Sequence, residues 1–155
     1  MWMISACLAG EECRYDGRHG RIDTIARLVR EGKAIQVCPE VLGGLSTPRE
    51  PAEIIGGTGE DVLAGRARVM NRAGEDVTEA FIQGAKQTLE QARRMGITKA
   101  LLKQNSPSCG SKRIYDGQFA GVRVPGEGVT VALLRQAGIK VYSEDEWVEV
   151  IGGED

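Results

Sequence analysis

Three of the four cysteines in this sequence follow short apolar runs. Trp2-Met-Ile-Ser-Ala6 ends in Cys7, Ala34-Ile-Gln-Val37 ends in Cys38, and Lys99-Ala-Leu-Leu-Lys103 leads into the loop Ser106-Pro-Ser-Cys-Gly110 that carries Cys109. Runs of this length read as buried strands. If those strands lie parallel, the three sulfurs meet at one sheet edge. A lone free cysteine is commonly a small buried hydrophobe; three after three strand ends point to a shared site. Thiolates hold zinc or iron-sulfur clusters. A structural zinc site would announce itself by close C-x-x-C pairs, and none is present, although four cysteines including Cys13 suffice to close one. On a cubane cluster three protein thiolates leave one iron open, and an open position lets a metal act as a Lewis acid.

Polar residues near these thiols supply the other candidates. Glu40, two residues after Cys38, is a proton donor or acceptor whose pKa a dry pocket would raise; alternatively it is a surface carboxylate. Ser106 and Ser108 can hydrogen-bond a sulfur or a substrate, or simply shape a tight turn. Arg14, Asp16, Arg49 and Arg113 sit in loops that border the same sheet edge and are candidates for binding substrate. His19 is the single histidine, so any Ser-His-Asp or Cys-His-Asp triad would have to use it. Its setting between Arg18 and Gly20 is a polar loop. Neither Gly57-Thr-Gly59 nor Gly126-Glu-Gly128 continues to the third glycine of a dinucleotide fingerprint, and there is no phosphate-loop signature.

Composition narrows the class. At 155 residues, 41% hydrophobic and 27% charged, the chain has the make-up of one folded domain over residues 1–155. A net charge of −2 argues against neutralising a nucleic-acid polymer, which needs a clustered basic surface. No run approaches the roughly 18 apolar residues of a membrane span, and the N-terminus lacks a basic region followed by a long apolar stretch. The expected location is the cytoplasm, where thiols stay reduced.

The elements that must position the cysteines follow from periodicity and punctuation. Helices are expected over residues 24–31, 77–95, 128–137 and 143–150, the second opened by a capping box from Asp76 to Glu79 and the last by Ser143 with Glu146. Strands are expected over residues 2–6, 34–37, 53–55, 66–70, 99–103 and 139–142. Residues 39–52 hold three of the five prolines and Gly43-Gly44, the composition of a shaped loop. Asp116-Gly117 signals a hairpin. This alternation predicts an α/β fold, an open, mostly parallel sheet with helices on both faces and ligands beyond the carboxyl ends of its strands.

Six spaced motifs carry a resemblance. Ser5-Ala-Cys-Leu-Ala-Gly10, Cys13-Arg-Tyr-Asp-Gly17, Val37-Cys-Pro-Glu-Val-Leu-Gly-Gly-Leu45, Thr47-Pro-Arg49, Val77-Thr-Glu-Ala-Phe81 and Ser106-Pro-Ser-Cys-Gly110 occur in order. Across residues 2–147 the chain resembles the DUF523 family, whose best understood members are thiouracil desulfurases. The resemblance implies a Rossmann-like domain and a 4Fe-4S cluster held by Cys7, Cys38 and Cys109, with Cys13 outside that set. It also implies proton handling by Glu40 and Ser106 and a small thiolated substrate; charge and hydropathy argue, separately, against a nucleic-acid or membrane partner. Two other readings use the same residues: a cluster-dependent sulfur transferase or dehydratase, and a non-enzymatic zinc or redox-sensing module in which Cys13 is essential.

Overall fold

Side chains alternating along four short strands decide the layers of this protein. The computed structural model describes residues 1–11, 15–16 and 22–150. In chain order the elements are β1 (Trp2–Ser5), α1 (Asp23–Arg30), β2 (Ala34–Val37), α2 (Pro39–Leu42), β3 (Ala52–Ile55), α3 (Gly59–Leu63) and β4 (Arg68–Asn71). Then come α4 (Thr78–Arg94), β5 (Lys99–Leu102), β6 (Arg113–Tyr115), β7 (Arg123–Pro125), α5 (Val129–Gln136), β8 (Lys140–Ser143) and α6 (Trp147–Val150), with 3-10 turns at Ala6–Ala9 and Glu144–Glu146.

β2, β1, β5 and β8 pair in that order as a parallel sheet. Trp2, Ile4 and Leu101 pack with Ile25 of α1 on one face. Met3, Ala100, Leu102 and Val141 pack with Leu89 and Ala92 of α4 and Val131 and Leu134 of α5 on the other. Successive strand residues point to opposite faces, so a parallel sheet buried on both sides requires both helical layers. This is the α/β arrangement the sequence predicts. β3–β4 and β6–β7 are separate antiparallel ribbons, joined through a third core cluster that includes Ile54, Phe81 and Ile114.

The sheet order reverses beside β1. From β1 the chain crosses through α1 to β2 on one side, and later returns through α4 to β5 on the other. Loops that leave neighbouring strands in opposite directions open a crevice at their carboxyl ends. Cys7, Cys38 and the Cys109 loop follow β1, β2 and β5.

Several local expectations change in the folded chain. Residues 39–52 are not wholly irregular: Pro39 occupies the first turn of α2, where its fixed φ and missing N–H cost nothing. The capping box at Asp76 does not form. Asp76 Oδ1 accepts the Thr78 N–H at 2.9 Å, the helix starts one residue later than expected, and Glu79 accepts from Gln83 instead. A capping box does form at Thr58 and Asp61, opening α3 between the strands expected over residues 53–55 and 66–70. Ser143 and Glu146 cap the last helical segment as expected. The hairpin turn is longer than Asp116-Gly117 implies, with residues 116–122 connecting β6 to β7.

Candidate metal centre

Cys38 and Glu40 owe their placement to a glycine contact. Cys38 caps α2 in extended conformation and Glu40 lies in the first turn of that helix. α2 rests on α4 where Gly43 and Gly84 face each other. A Cβ on Gly84 would stand 2.0 Å from the Pro39 carbonyl oxygen, and one on Gly43 would stand 2.0 Å from that of Ala80. No other residue permits so close a backbone approach. An interior helical glycine costs about 1 kcal/mol relative to alanine, so Gly84 was a readable signal of this packing that the periodicity analysis passed over.

The Cys109 loop is fixed from the opposite side. The first N–H groups of a helix lack internal partners, and here the loop supplies them. Val129 N donates to Pro107 O at 2.8 Å and Thr130 N to Ser108 O at 3.0 Å, while Gly128 N donates to Gly110 O at 2.8 Å. Within the loop, Ser106 Oγ accepts the N–H of Ser108 (3.0 Å) and of Cys109 (3.1 Å) and donates its own proton to Glu40 Oε1 at 2.9 Å. One hydroxyl thus ties the β5 loop to α2. Glu40 Oε2 is gripped by Arg49 through Nε (3.0 Å) and Nη2, and Arg49 Nη1 is held by Ser46 O and Thr47 Oγ1. This ion pair is mostly buried, with side-chain exposures of 9% for Arg49 and 14% for Glu40.

Cys7, Cys38 and Cys109 line one cavity of about 440 Å³ together with Glu40, Arg49 and Ser106. That volume lies within the range of small-molecule sites. The Cys109 thiol is pushed well above its ordinary pKa, first by burial and then by the charges of Glu40 and Cys38, while hydrogen bonds with Ser108 and Ser5 work in the other direction. Such a thiol gives up its proton when a metal binds it. Among the described residues, no three His, Cys, Asp or Glu side chains stand close enough to hold a single metal ion. Sulfurs sharing one tetrahedral ion at about 2.3 Å must crowd together, whereas a cluster takes each thiolate on a different iron. Glu40 is engaged by Arg49 and Ser106, so of these four side chains the three sulfurs are the donors left for a metal. Soft thiolates select iron-sulfur clusters over hard cations.

The sequence pattern of the 2-thiouracil desulfurase family matches residues 3–146. The chain belongs to this family. An uncharacterized relative, YbbK of Bacillus subtilis (strain 168), is 54% identical over 151 residues, which cover 97% of this chain and all of that protein. The solved structure of TudS, a 4Fe-4S-dependent thiouracil desulfidase also designated DUF523, superposes with a TM-score of 0.84 at 48% identity. The match spans 96% of this chain and 93% of that one. Membership in the 2-thiouracil desulfurase family bears out the DUF523 resemblance, and no helix among the described residues is long and apolar enough to cross a membrane.

Other candidate residues of this family member are placed less centrally. Ser108 is buried against α5, its hydroxyl 2.7 Å from Thr130 Oγ1, and does not line the cavity. Arg113 is exposed and borders a second hollow with Arg123 and Lys112. Asp16 is half-buried outside the cavity wall, although its neighbour Tyr15 lines it. Arg14, Cys13 and His19 lie outside the described residues. Sequence reasoning missed Ser5, whose Oγ accepts the Lys103 N–H at 2.8 Å and bridges the ends of β1 and β5. It also missed Glu53, Asn105 and Phe119 on the cavity wall. Ser5 was legible as a polar residue closing an otherwise apolar strand and Asn105 as the residue before Ser106; Glu53 and Phe119 are neighbours of the site only through the tertiary fold.

Proposed function

We propose that this protein is a 4Fe-4S-dependent desulfurase that removes sulfur hydrolytically from a thiolated nucleobase of the thiouracil kind, with Cys7, Cys38 and Cys109 as the cluster's protein ligands. The observation that carries the reading is that three strand-end cysteines and a doubly anchored glutamate line one cavity. When bound, the cluster supplies a soft, electrophilic iron that draws charge from a thiocarbonyl sulfur and makes the adjoining carbon open to water.

The chain's own groups manage the proton. Two N–H donors from Arg49 occupy Glu40 Oε2, and Ser106 takes one lone pair of Oε1. One site remains, the second lone pair of Oε1, and there Glu40 accepts a proton from the attacking water and passes it to the departing sulfur. Ser106 has both lone pairs filled by backbone N–H groups and its proton committed to Glu40. It acts by positioning that carboxylate. Sulfur leaves at the oxidation level at which it arrived, as hydrosulfide, so water replaces it without an electron donor.

Anaerobic reconstitution with iron and sulfide tests the reading. About four irons per chain, a broad visible absorption, and sulfide release from 2-thiouracil are expected of wild type, with all three lost in Cys109→Ser. Zinc retention without iron uptake would sink it. Cys13→Ser is the companion variant: unchanged iron supports three ligands, and loss of metal supports a closed four-thiolate site.

A further inference from the structure

Two non-glycine residues among those described have left-handed backbone, Asn105 at φ 71° and Phe119 at φ 55°, and both line the cysteine cavity. Asparagine tolerates this region; a bulky aromatic residue there is an outlier held only by its surroundings. Those surroundings are specific. Glu53, buried on β3, accepts the N–H of Gly117 at 2.9 Å and of Phe119 at 3.3 Å through the same Oε1. Gly117 lies so close to β3 that a Cβ would come within 2.8 Å of the Ile54 carbonyl oxygen. Asp116 Oδ1 further fixes the loop by accepting the Gln118 N–H at 2.9 Å.

The conformation is not imposed for the sake of the hydrophobic core. Phe119 is half-buried and its ring belongs to none of the three core clusters. A strained residue that packing does not need, maintained by a buried carboxylate and presented on a cavity wall, points to a role in that cavity. Aromatic rings offer a planar, sequence-tolerant face to heterocycles. We infer that Phe119 is the stacking wall for the planar ring of the substrate, with Glu53 holding its backbone. The inference rests on the desulfurase reading above, whose thiouracil-like substrate supplies the flat ring.

The test uses reconstituted wild type, Phe119→Asn and Phe119→Tyr, with thermal midpoint, iron content, kcat and KM for 2-thiouracil, and the dissociation constant of uracil. Asparagine accepts the positive φ, so Phe119→Asn should melt at or above the wild-type temperature with unchanged iron. KM and the uracil dissociation constant should rise about tenfold, with kcat within about twofold, as expected when binding to ground and transition state is lost equally. Phe119→Tyr should restore both constants. A lower melting temperature with wild-type uracil affinity, or weakened binding that tyrosine does not restore, overturns the inference. Wild type that binds uracil yet releases no sulfide counts against the desulfurase reading instead, and the uracil constants still decide the role of Phe119.

Discussion

Ser106 donates its hydroxyl proton to Glu40 Oε1 at 2.9 Å, joining residues 66 positions apart in the chain. Ser106 Oγ itself accepts the backbone N–H groups of Ser108 and Cys109. Removing it therefore disturbs a carboxylate and a cysteine loop together. Ser106→Ala should destabilise the protein by about 1–2 kcal/mol and lower turnover on 2-thiouracil about a hundredfold through misplaced geometry. Chemical denaturation and steady-state kinetics measure the two effects, and a stable variant with full activity would refute the linkage.

Glu40→Gln separates chemistry from cluster assembly. The glutamine keeps an acceptor for Ser106 but gives the proton no carboxylate to occupy, so turnover should drop at least a hundredfold. Iron and sulfide content should stay at the wild-type level. Loss of iron in parallel with activity would show that Glu40 supports the cluster site structurally.

Arg49 and Glu40 form a mostly buried ion pair. Breaking one partner leaves the other charge without its counter-ion, so Arg49→Met should cost about 3 kcal/mol. The double variant Glu40→Gln with Arg49→Met should recover part of that loss, because no charge is then stranded. Equilibrium unfolding of the three variants gives the coupling.

Alanine is the better helix former, yet Gly84→Ala should destabilise. The added Cβ meets the Pro39 carbonyl oxygen at 2.0 Å, and backbone cannot swing aside as a long side chain can. Overpacking of this kind costs about 1–3 kcal/mol. Because α2 carries Glu40 and follows Cys38, iron loading should fall as well. A raised melting temperature with full iron content would show that the α2–α4 contact has slack.

Asp61 reports on acid stability. Its carboxyl titrates below the ordinary value of 3.8, chiefly because the Thr58 N–H donates to it and then because Arg66 does. With the folded-state pKa depressed, its stabilising contribution is complete above the unfolded value and is lost as pH falls through the folded one. Acid unfolding of Asp61→Asn should therefore start from a lower stability at neutral pH and change less steeply below about pH 4. Parallel curves for wild type and variant would assign the acid transition to other carboxylates.

The sequence by itself determined the layers and the strand ends. Short apolar runs and the helical periodicity behind the helices expected over residues 24–31, 77–95 and 128–137 are local signals, and strand-end cysteines can be read from them directly. Family motifs narrowed the chemistry further. Only the tertiary structure decided which polar groups serve the cavity. Ser108, one residue from Cys109, turns into α5, whereas Phe119 and Glu53 reach the wall from ribbons distant in the chain. Arg49, expected to bind substrate, lines the cavity with its guanidinium held on Glu40. The reason is physical: backbone periodicity fixes where a strand ends, but the partner of a side chain is set by long-range packing, here the Gly43–Gly84 approach and the capping of α5 by the cysteine loop. Gly84, a glycine inside a helix, marks one side of the first contact, but neither contact leaves a spacing that names its partner along the chain.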